Sequence, residues 1–275
     1  MPKRLAFLGP AGTYTEEATI RYDSSATRLP FPSNTAVAEA VQNGAADEGV
    51  VPIENSLEGS VNDTLDLLIH DSKLSIWQEV VIPIEHYLVT KPKTPVSDVK
   101  VIYSHPQALG QCRKYLQKTF PSVQLVASLS TVAAVGDMLA SKLPAAAITP
   151  RRATELYQVE VLAKGIHDNP NNVTRFVVLA HQDHPPTGGD RTSICFWFSS
   201  DTPGQLYKAM GTFALRNINL AKIESRPAKD VLGSYVFLVD LEGHRTDPKV
   251  REALDELREH VSLLKIFGSY PKYKA

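Results

Sequence analysis

Apolar positions along the first 180 residues switch between a period of two and a period of about 3.6. Arg4–Leu8 reads as a buried strand, followed by the turn Gly9-Pro10-Ala11-Gly12 and a helix over Tyr14–Tyr22. Thr13, with Glu16 three residues on, has the spacing of a capping box for that helix. A second helix is predicted over residues 34–43, with Val37, Ala40 and Val41 on one face and Gly44 as its stop. A strand at 49–53, a helix near 61–70 and extended segments through 74–90 come next. The alternation then repeats: strand 99–103, helix 106–119, strand 123–127, helix 131–141, strand 145–148. Such an order predicts α/β layers around a mostly parallel sheet. Pro52, Pro83 and Pro92 punctuate the middle, so the sheet is expected to split into two lobes.

Val173–Ala180 is the last strand before residues 181–190, which hold two prolines, two glycines and no apolar run and read as a linker. Beyond it the order changes. A strand at 192–198 precedes a helix marked by Leu206, Ala209, Met210, Phe213 and Ala214. Strands at 219–225 and 234–241, a helix striped with Val250, Ala253, Leu254 and Leu257, and a strand at 262–267 complete the series βαββαβ, the ferredoxin-like order. The predicted organisation is therefore a domain over residues 1–180, a linker over 181–190 and an α+β module over 191–275.

Composition narrows the function. Twenty-nine basic against thirty acidic residues give a net charge of -1, without the basic excess that a nucleic-acid or membrane-surface partner would select. Two cysteines, Cys112 and Cys195, are too few for a disulfide scaffold and fit a reducing, cytoplasmic setting. No apolar run approaches the roughly 20 residues of a membrane helix, and the run after Lys3 and Arg4 stops too early for a signal peptide. His181 and His184 have metal-ligand spacing but no further ligand nearby, so no metal is expected. The first turn lacks the glycine spacing of a dinucleotide site, and no cofactor is implied.

Polar clusters recur at the ends of the apolar strands: Thr13; Glu54-Asn55-Ser56; Ser104-His105; and Thr174-Arg175, which opens the last strand. Ligands of open α/β sheets bind beyond strand ends, where free backbone N–H groups of helix N-termini favour anions. A small carboxylate is the expected ligand. Each cluster also has a plainer reading. Ser104 and Gln107 have capping-box spacing, Asn55-Ser56 before Gly59 suits a turn, and Cys112 suits a core. Gln111 lies one turn beyond Gln107, where a cap does not explain it. His105 reads as a structural hydrogen-bonder and Glu54 as a brace between lobes.

Several motifs together resemble one family. Gly9-Pro10-Ala11-Gly12-Thr13-Tyr14-Thr15, Pro52-Ile53-Glu54-Asn55-Ser56 with Gly59, Ser104-His105-Pro106-Gln107-Ala108-Leu109 with Gln111-Cys112, and Asn172-Val173-Thr174-Arg175-Phe176 resemble the signatures of prephenate dehydratases. Pro203-Gly204-Gln205-Leu206, Ile218-Asn219-Leu220 and Glu224-Ser225-Arg226-Pro227 are similar to the family's ACT regulatory domain. The resemblance implies a two-lobed catalytic domain of the type II periplasmic-binding-protein kind, with a cleft between lobes and a ferredoxin-like ACT module after it. It implies the monofunctional form, without a chorismate mutase segment, that converts prephenate to phenylpyruvate, water and carbon dioxide; arogenate dehydratase is the near alternative.

By the family pattern Thr174 donates a hydrogen bond to the departing oxygen, and Arg175 takes a substrate carboxylate in preference to a structural ion pair. Asn55, Ser56, Ser104, Gln111 and Phe176 line the substrate, and Thr13 helps through the helix it caps. Phenylalanine is the implied effector, held by Gly204, Gln205, Leu206, Asn219, Leu220, Glu224, Ser225, Arg226 and Pro227 in a homodimer or homotetramer. Gln205 and Ala221 depart from the usual alanine and threonine, which bears on the effector's identity and affinity.

Overall fold

The structure, a computed structural model, describes residues 2–200, 202–228 and 234–273. Along the chain come β1 (Arg4–Leu8), α1 (Tyr14–Tyr22), β2 (Thr27–Phe31), α2 (Asn34–Gln42), β3 (Glu48–Asn55) and β4 (Gly59–Ser60). A short helix α3 (Asn62–Asp66) leads to β5 (Ser75–Pro83), β6 (His86–Thr90) and β7 (Val101–Ser104). Helices α4 (Pro106–Gln111) and α5 (Arg113–Thr119), β8 (Gln124–Ala127), α6 (Ala133–Ala140), β9 (Ala145–Pro150), α7 (Arg151–Leu156), β10 (Glu160–Ala163) and β11 (Val173–Ala180) follow. The last six elements are β12 (Asp190–Trp197), α8 (Gln205–Ala214), β13 (Leu220–Pro227), β14 (Tyr235–Glu242), α9 (Pro248–His260) and β15 (Leu263–Pro271).

Among the described residues three sheets result. The first has the order β2-β1-β3-β11-β5, with β4 hairpinned on β3, and the second β10-β6-β9-β7-β8. Strand β7 runs parallel to both β8 and β9, whereas β6 meets β9 and β10 antiparallel, so the second sheet is mixed. Successive residues of its strands feed opposite cores. Val89, Val101 and Ala147 pack with Val135 and Met138, while Leu88, Ile102 and Ala146 pack with Cys112 and Leu116. Burial on both faces explains the near-continuous apolar runs. The third sheet, β13-β14-β12-β15, carries α8 and α9 over a core of Ile194, Phe196, Phe213, Leu241, Val250, Leu254 and Leu257. Its order is that of the ferredoxin-like βαββαβ unit.

The chain groups into two compact units that are each discontinuous in sequence. One holds Met1–Val37, Val50–Val61 and Val81–Phe176; the other holds Ala38–Gly49, Asn62–Val80 and Val177–Ala275. The segment read as a linker is fastened within the second unit. His181 Nε2 bonds to the Val41 carbonyl, Asp183 pairs with Arg245 at 2.6 Å, and the His184 carbonyl bonds to His244 Nε2.

Local differences from the periodicity have physical causes. The helix expected near 61–70 is α3 running into a π turn at Leu67–Asp71. The helix expected over 106–119 breaks at Cys112, whose φ of -109° and ψ of 14° leave the helical basin. The N-cap of α4 is His105, whose Nδ1 accepts the Gln107 N–H at 3.3 Å, rather than Ser104. Ser104 instead donates to the Ile148 carbonyl at 2.8 Å, from β7 to β9. At α1 the capping residue is Thr13, which accepts from Glu16 N at 3.3 Å, while the Glu16 carboxylate takes the Gly12 N–H at 2.7 Å. Strands β2 and β10 escape the pattern because Arg28 and Pro30 in the one, and a four-residue length in the other, leave no alternating apolar signal.

Candidate functional site

The hairpin between β3 and β4 sets the first residue of the site. Asn55 pairs with Gly59 across it, and Gly59 takes a φ of 83°, which L side chains rarely adopt. Asn55 Oδ1 accepts the N–H groups of Leu57 and Glu58, both at 3.0 Å, so the side chain is tied into its own turn. Its amide nitrogen then points to the start of β11, donating to Asn172 Oδ1 at 2.8 Å and to Thr174 Oγ1 at 2.9 Å. Ser56 holds the same two segments together: its N–H donates to the Val173 carbonyl and its Oγ accepts the Val173 N–H.

The chain of contacts continues into the second sheet. Asn172 Nδ2 donates to Gln111 Oε1 at 3.0 Å, and Gln111 Nε2 donates to Glu58 Oε1 at 3.2 Å. Gln111 Oε1 also lies 2.9 Å from His86 Nε2, and His86 Nδ1 lies 2.9 Å from the Tyr14 hydroxyl. Seven side chains, five of them on α1, β3, β6, α4 and β11 with Glu58 in the β3–β4 turn and Asn172 just before β11, thus form one polar network that reaches Thr174. Burial lowers the pKa of His86, with His167 acting in the same direction and the bond to Gln111 opposing. Burial likewise raises the Tyr14 phenol well above its ordinary value, with Cys112, Glu17 and Glu85 adding to it. A buried neutral imidazole and a half-buried neutral phenol are what such an environment favours.

Thr174 and Arg175 follow strand alternation. Thr174 turns to Asn55, and Arg175 turns to Glu54, its Nη2 2.9 Å from Glu54 Oε2. Thr13 sits at the N-terminus of α1, its hydroxyl donating to the Leu8 carbonyl. Among the described residues no group of three or more His, Cys, Asp or Glu side chains is placed to hold a metal ion.

An alcohol that accepts one amide N–H, from Asn55, and carries its own proton suits an anionic substrate with a leaving oxygen. Comparison with known proteins agrees. A prephenate dehydratase family model matches residues 5–184, and an ACT domain model matches residues 198–259. The chain belongs to the prephenate dehydratase family. A bifunctional chorismate mutase/prephenate dehydratase of Aquifex aeolicus (strain VF5) is 43% identical over 270 residues, which are 98% of this chain and 74% of that protein. The crystal structure of a prephenate dehydratase from Arthrobacter aurescens in complex with L-Phe is 37% identical with a TM-score of 0.91, over 98% of this chain and 90% of that one. A structure described as GqqA, a novel type of quorum quenching acylase, is 30% identical with a TM-score of 0.89, over 98% of each chain. The fold is thus that of the prephenate dehydratase family, an α/β catalytic region with the ferredoxin-like ACT module after it.

Of the residues expected to line the substrate, Asn55, Gln111 and Thr174 are joined in the polar chain, and Ser56 and Arg175 adjoin it. Ser104 and Phe176 are elsewhere: Ser104 is fully buried on the Ile148 carbonyl, and Phe176 is a core side chain. The motif reading missed His86, which signals itself only as a histidine opening the otherwise apolar strand β6, and left Asn172 and Glu58 without a role.

In the ACT module the expected effector residues divide. Gly204, Gln205 and Leu206 line a cavity of about 590 Å³ with Phe198, Ser200 and Tyr235. Gly204 has a φ of 88° at the N-cap of α8, and Gln205 Nε2 donates to Ser200 Oγ. The second motif does not line that cavity. Asn219 gives its carbonyl to Glu242 N, Leu220 opens β13, Glu224 pairs with Lys222 at 3.3 Å, and Ser225 and Pro227 are exposed. Arg226 grips α3, donating to Asn62 Oδ1 at 2.8 Å and to Asp66 Oδ1 at 3.0 Å. Lys265 of β15 holds the far end of the same segment through the carbonyls of Ile69 and Ser72.

Proposed function

We propose that this protein catalyses the decarboxylative dehydration of prephenate to phenylpyruvate, with Thr174 as the hydrogen-bond donor to the departing oxygen. The observation that carries this reading is the bond from Asn55 Nδ2 to Thr174 Oγ1. Because Asn55 supplies the donor there, Thr174 accepts, and its own proton is left for a ligand. In the reaction the bond between the ring and its carboxylate breaks and its electron pair enters the ring. The carbon–oxygen bond at the hydroxyl-bearing carbon breaks, the oxygen leaves as water with a proton drawn ultimately from solvent, and carbon dioxide departs. Aromatisation drives the step, so the protein's task is to stabilise developing negative charge on one oxygen and to hold two carboxylates. No cofactor takes part.

Arg175 offers its guanidinium to a substrate carboxylate while Glu54 fixes its plane. Ser56, Gln111 and the α1 N-terminus at Thr13 orient the rest. Ser104 and Phe176 belong to the same substrate-binding set, and both are buried.

Phenylalanine as feedback inhibitor, bound at the cavity that Gly204, Gln205 and Leu206 line, belongs to the same reading, supported by the L-Phe complex of the Arthrobacter relative. So does assembly as a homodimer or homotetramer, for which β13, at the edge of its sheet beside β14 and with Ile223 exposed on it, is suited. A cytoplasmic setting fits the two free, buried cysteines; among the described residues no helix is long and apolar enough to cross a membrane.

The test is turnover of prephenate by the purified protein, followed as phenylpyruvate absorbance in base, with and without phenylalanine. Parallel arms use arogenate and an N-acyl amide. Prephenate turnover alone is expected, because amide hydrolysis needs a base beside the hydroxyl, and the Asn55 amide that bonds to Thr174 takes no proton. Turnover of the acyl amide without turnover of prephenate would defeat the reading.

A further inference from the structure

We propose that Asn172 is a positioning residue: it is the centre of a one-way hydrogen-bond relay, anchored on Glu58, that turns the Thr174 proton toward the ligand. The inference rests on the proposed reaction and extends it to residues that need not touch the substrate.

The direction of the relay follows from donor and acceptor chemistry. An ionised carboxylate only accepts, so Glu58 Oε1 must receive a hydrogen from Gln111 Nε2 at 3.2 Å. Gln111 Oε1 is then the end facing inward, and it receives from Asn172 Nδ2 at 3.0 Å and from His86 Nε2 at 2.9 Å. Asn172 Oδ1 in turn faces Asn55 Nδ2 at 2.8 Å, and the same nitrogen donates to Thr174 Oγ1 at 2.9 Å. The backbone N–H groups of Leu57 and Glu58, both on Asn55 Oδ1, enforce this orientation a second time. Every link is used in one sense only. Reversing Asn172 would set oxygen against oxygen at Gln111 and nitrogen against nitrogen at Asn55. A flipped Asn55 amide would accept the Thr174 proton and remove it from the reaction. Asn172 is 1% exposed and is held by its backbone as well, its carbonyl accepting Ile84 N at 2.8 Å.

Two substitutions separate this role from simple packing. Asn172→Asp keeps the shape and the acceptor toward Asn55 but, when ionised, sets a second acceptor against Gln111 Oε1. Protonation of the new carboxyl restores a donor there. The charged and titratable groups around this position are Glu58 and His86, both through Gln111, His167 beside His86, Asp168, whose N–H bonds to the Gln111 carbonyl, and the Glu54–Arg175 pair next along β3 and β11. Protonating His86 leaves its Nε2–H donor in place, so it does not mimic the rescue. The second variant, Glu58→Gln, lies at an exposed position and spares the core; it removes the obligate acceptor.

The experiment measures kcat and KM for prephenate between pH 5 and 9 in the folded wild type and both variants, with folding checked by circular dichroism. Asn172→Asp is expected to lose roughly 10- to 100-fold in kcat at pH 8, a share of what a lost oxyanion donor costs, with KM nearly unchanged. Its kcat is expected to recover as pH falls, while wild-type kcat does not rise. Glu58→Gln is expected to lose about three- to tenfold in kcat. An Asn172→Asp pH profile parallel to wild type, or a loss confined to KM, overturns the relay even where wild type turns prephenate over. Absence of wild-type turnover defeats the reaction instead. A readout independent of turnover is the Gln111 side-chain amide resonance, which should move in Glu58→Gln; an unmoved resonance also overturns the relay.

Discussion

Arg175 and Glu54 meet at 2.9 Å, one residue removed from the Thr174–Asn55 contact on the same two strands. The pair sits beside the neutral relay, with the arginine largely buried and the glutamate about one-third exposed. A carboxylate there would repel a dianionic ligand if left alone; the guanidinium cancels it.

Removing one member should therefore harm folding more than removing both. Arg175→Gln is expected to lower stability by about 2 kcal/mol, and the double variant Glu54→Gln/Arg175→Gln to recover about half of that. Thermal melts of the four proteins give the coupling. In the double variant KM for prephenate should stay raised, because the contact to the substrate carboxylate is not restored; a KM at the wild-type value would confine Arg175 to a structural role.

Thr174→Ala should reduce kcat by roughly 10²–10³ with folding intact. Thr174→Ser keeps the hydroxyl and is expected to retain most of the rate, whereas Thr174→Val, of equal shape, is not. Near-normal turnover of the valine variant would remove the hydroxyl from the mechanism.

His86 makes stability depend on pH. Burial lowers its folded pKa below the unfolded value, so between the two the unfolded chain binds the extra proton. Stability should thus be complete above about pH 6.5, the ordinary histidine value, and decline as pH falls toward the folded pKa, below which both states are charged. Denaturant melts at pH 8 and pH 5 of wild type and His86→Gln test this; the variant should show the smaller difference.

Gly268 marks a close approach of two backbones. It has a φ of 150°, and a Cβ there would lie 2.5 Å from the Ile76 carbonyl oxygen and 2.7 Å from its nitrogen. The register of β12 against β15 shifts at the same point, between Ser193 and Ile194. Gly268→Ala is expected to cost about 2–4 kcal/mol, a size reserved for overpacking or strain. An unchanged melting temperature would show that the strand moves aside freely.

The layers, the βαββαβ order and the core stripes were legible because periodicity reports burial, and these elements are buried on one or both faces. Asn55, Gln111 and Thr174 stood out as polar groups at strand ends or beyond a cap's reach. What the one-dimensional pattern hid is pairing. Ser104 and Thr174 look alike in sequence, each a hydroxyl residue beside an apolar strand, yet one is spent on the Ile148 carbonyl and the other faces Asn55. Arg226 sits in a ligand motif but is engaged with Asn62 and Asp66. Spacing does not say which of several partners a side chain will find across a sheet, and His86 and Asn172 acquire meaning only once Gln111 lies between them.

The three links from Gln111 to Thr174 are all made by uncharged amides and an alcohol. Charge enters their alignment only at the outer anchor, Glu58, through a short hydrogen bond that dissolved electrolyte weakens little, whereas the longer-range attraction that gathers a doubly charged ligand is screened. Turnover at saturation should hold steady in strong brine while capture of dilute substrate fades, so ionic strength divides the two halves of the enzyme's work.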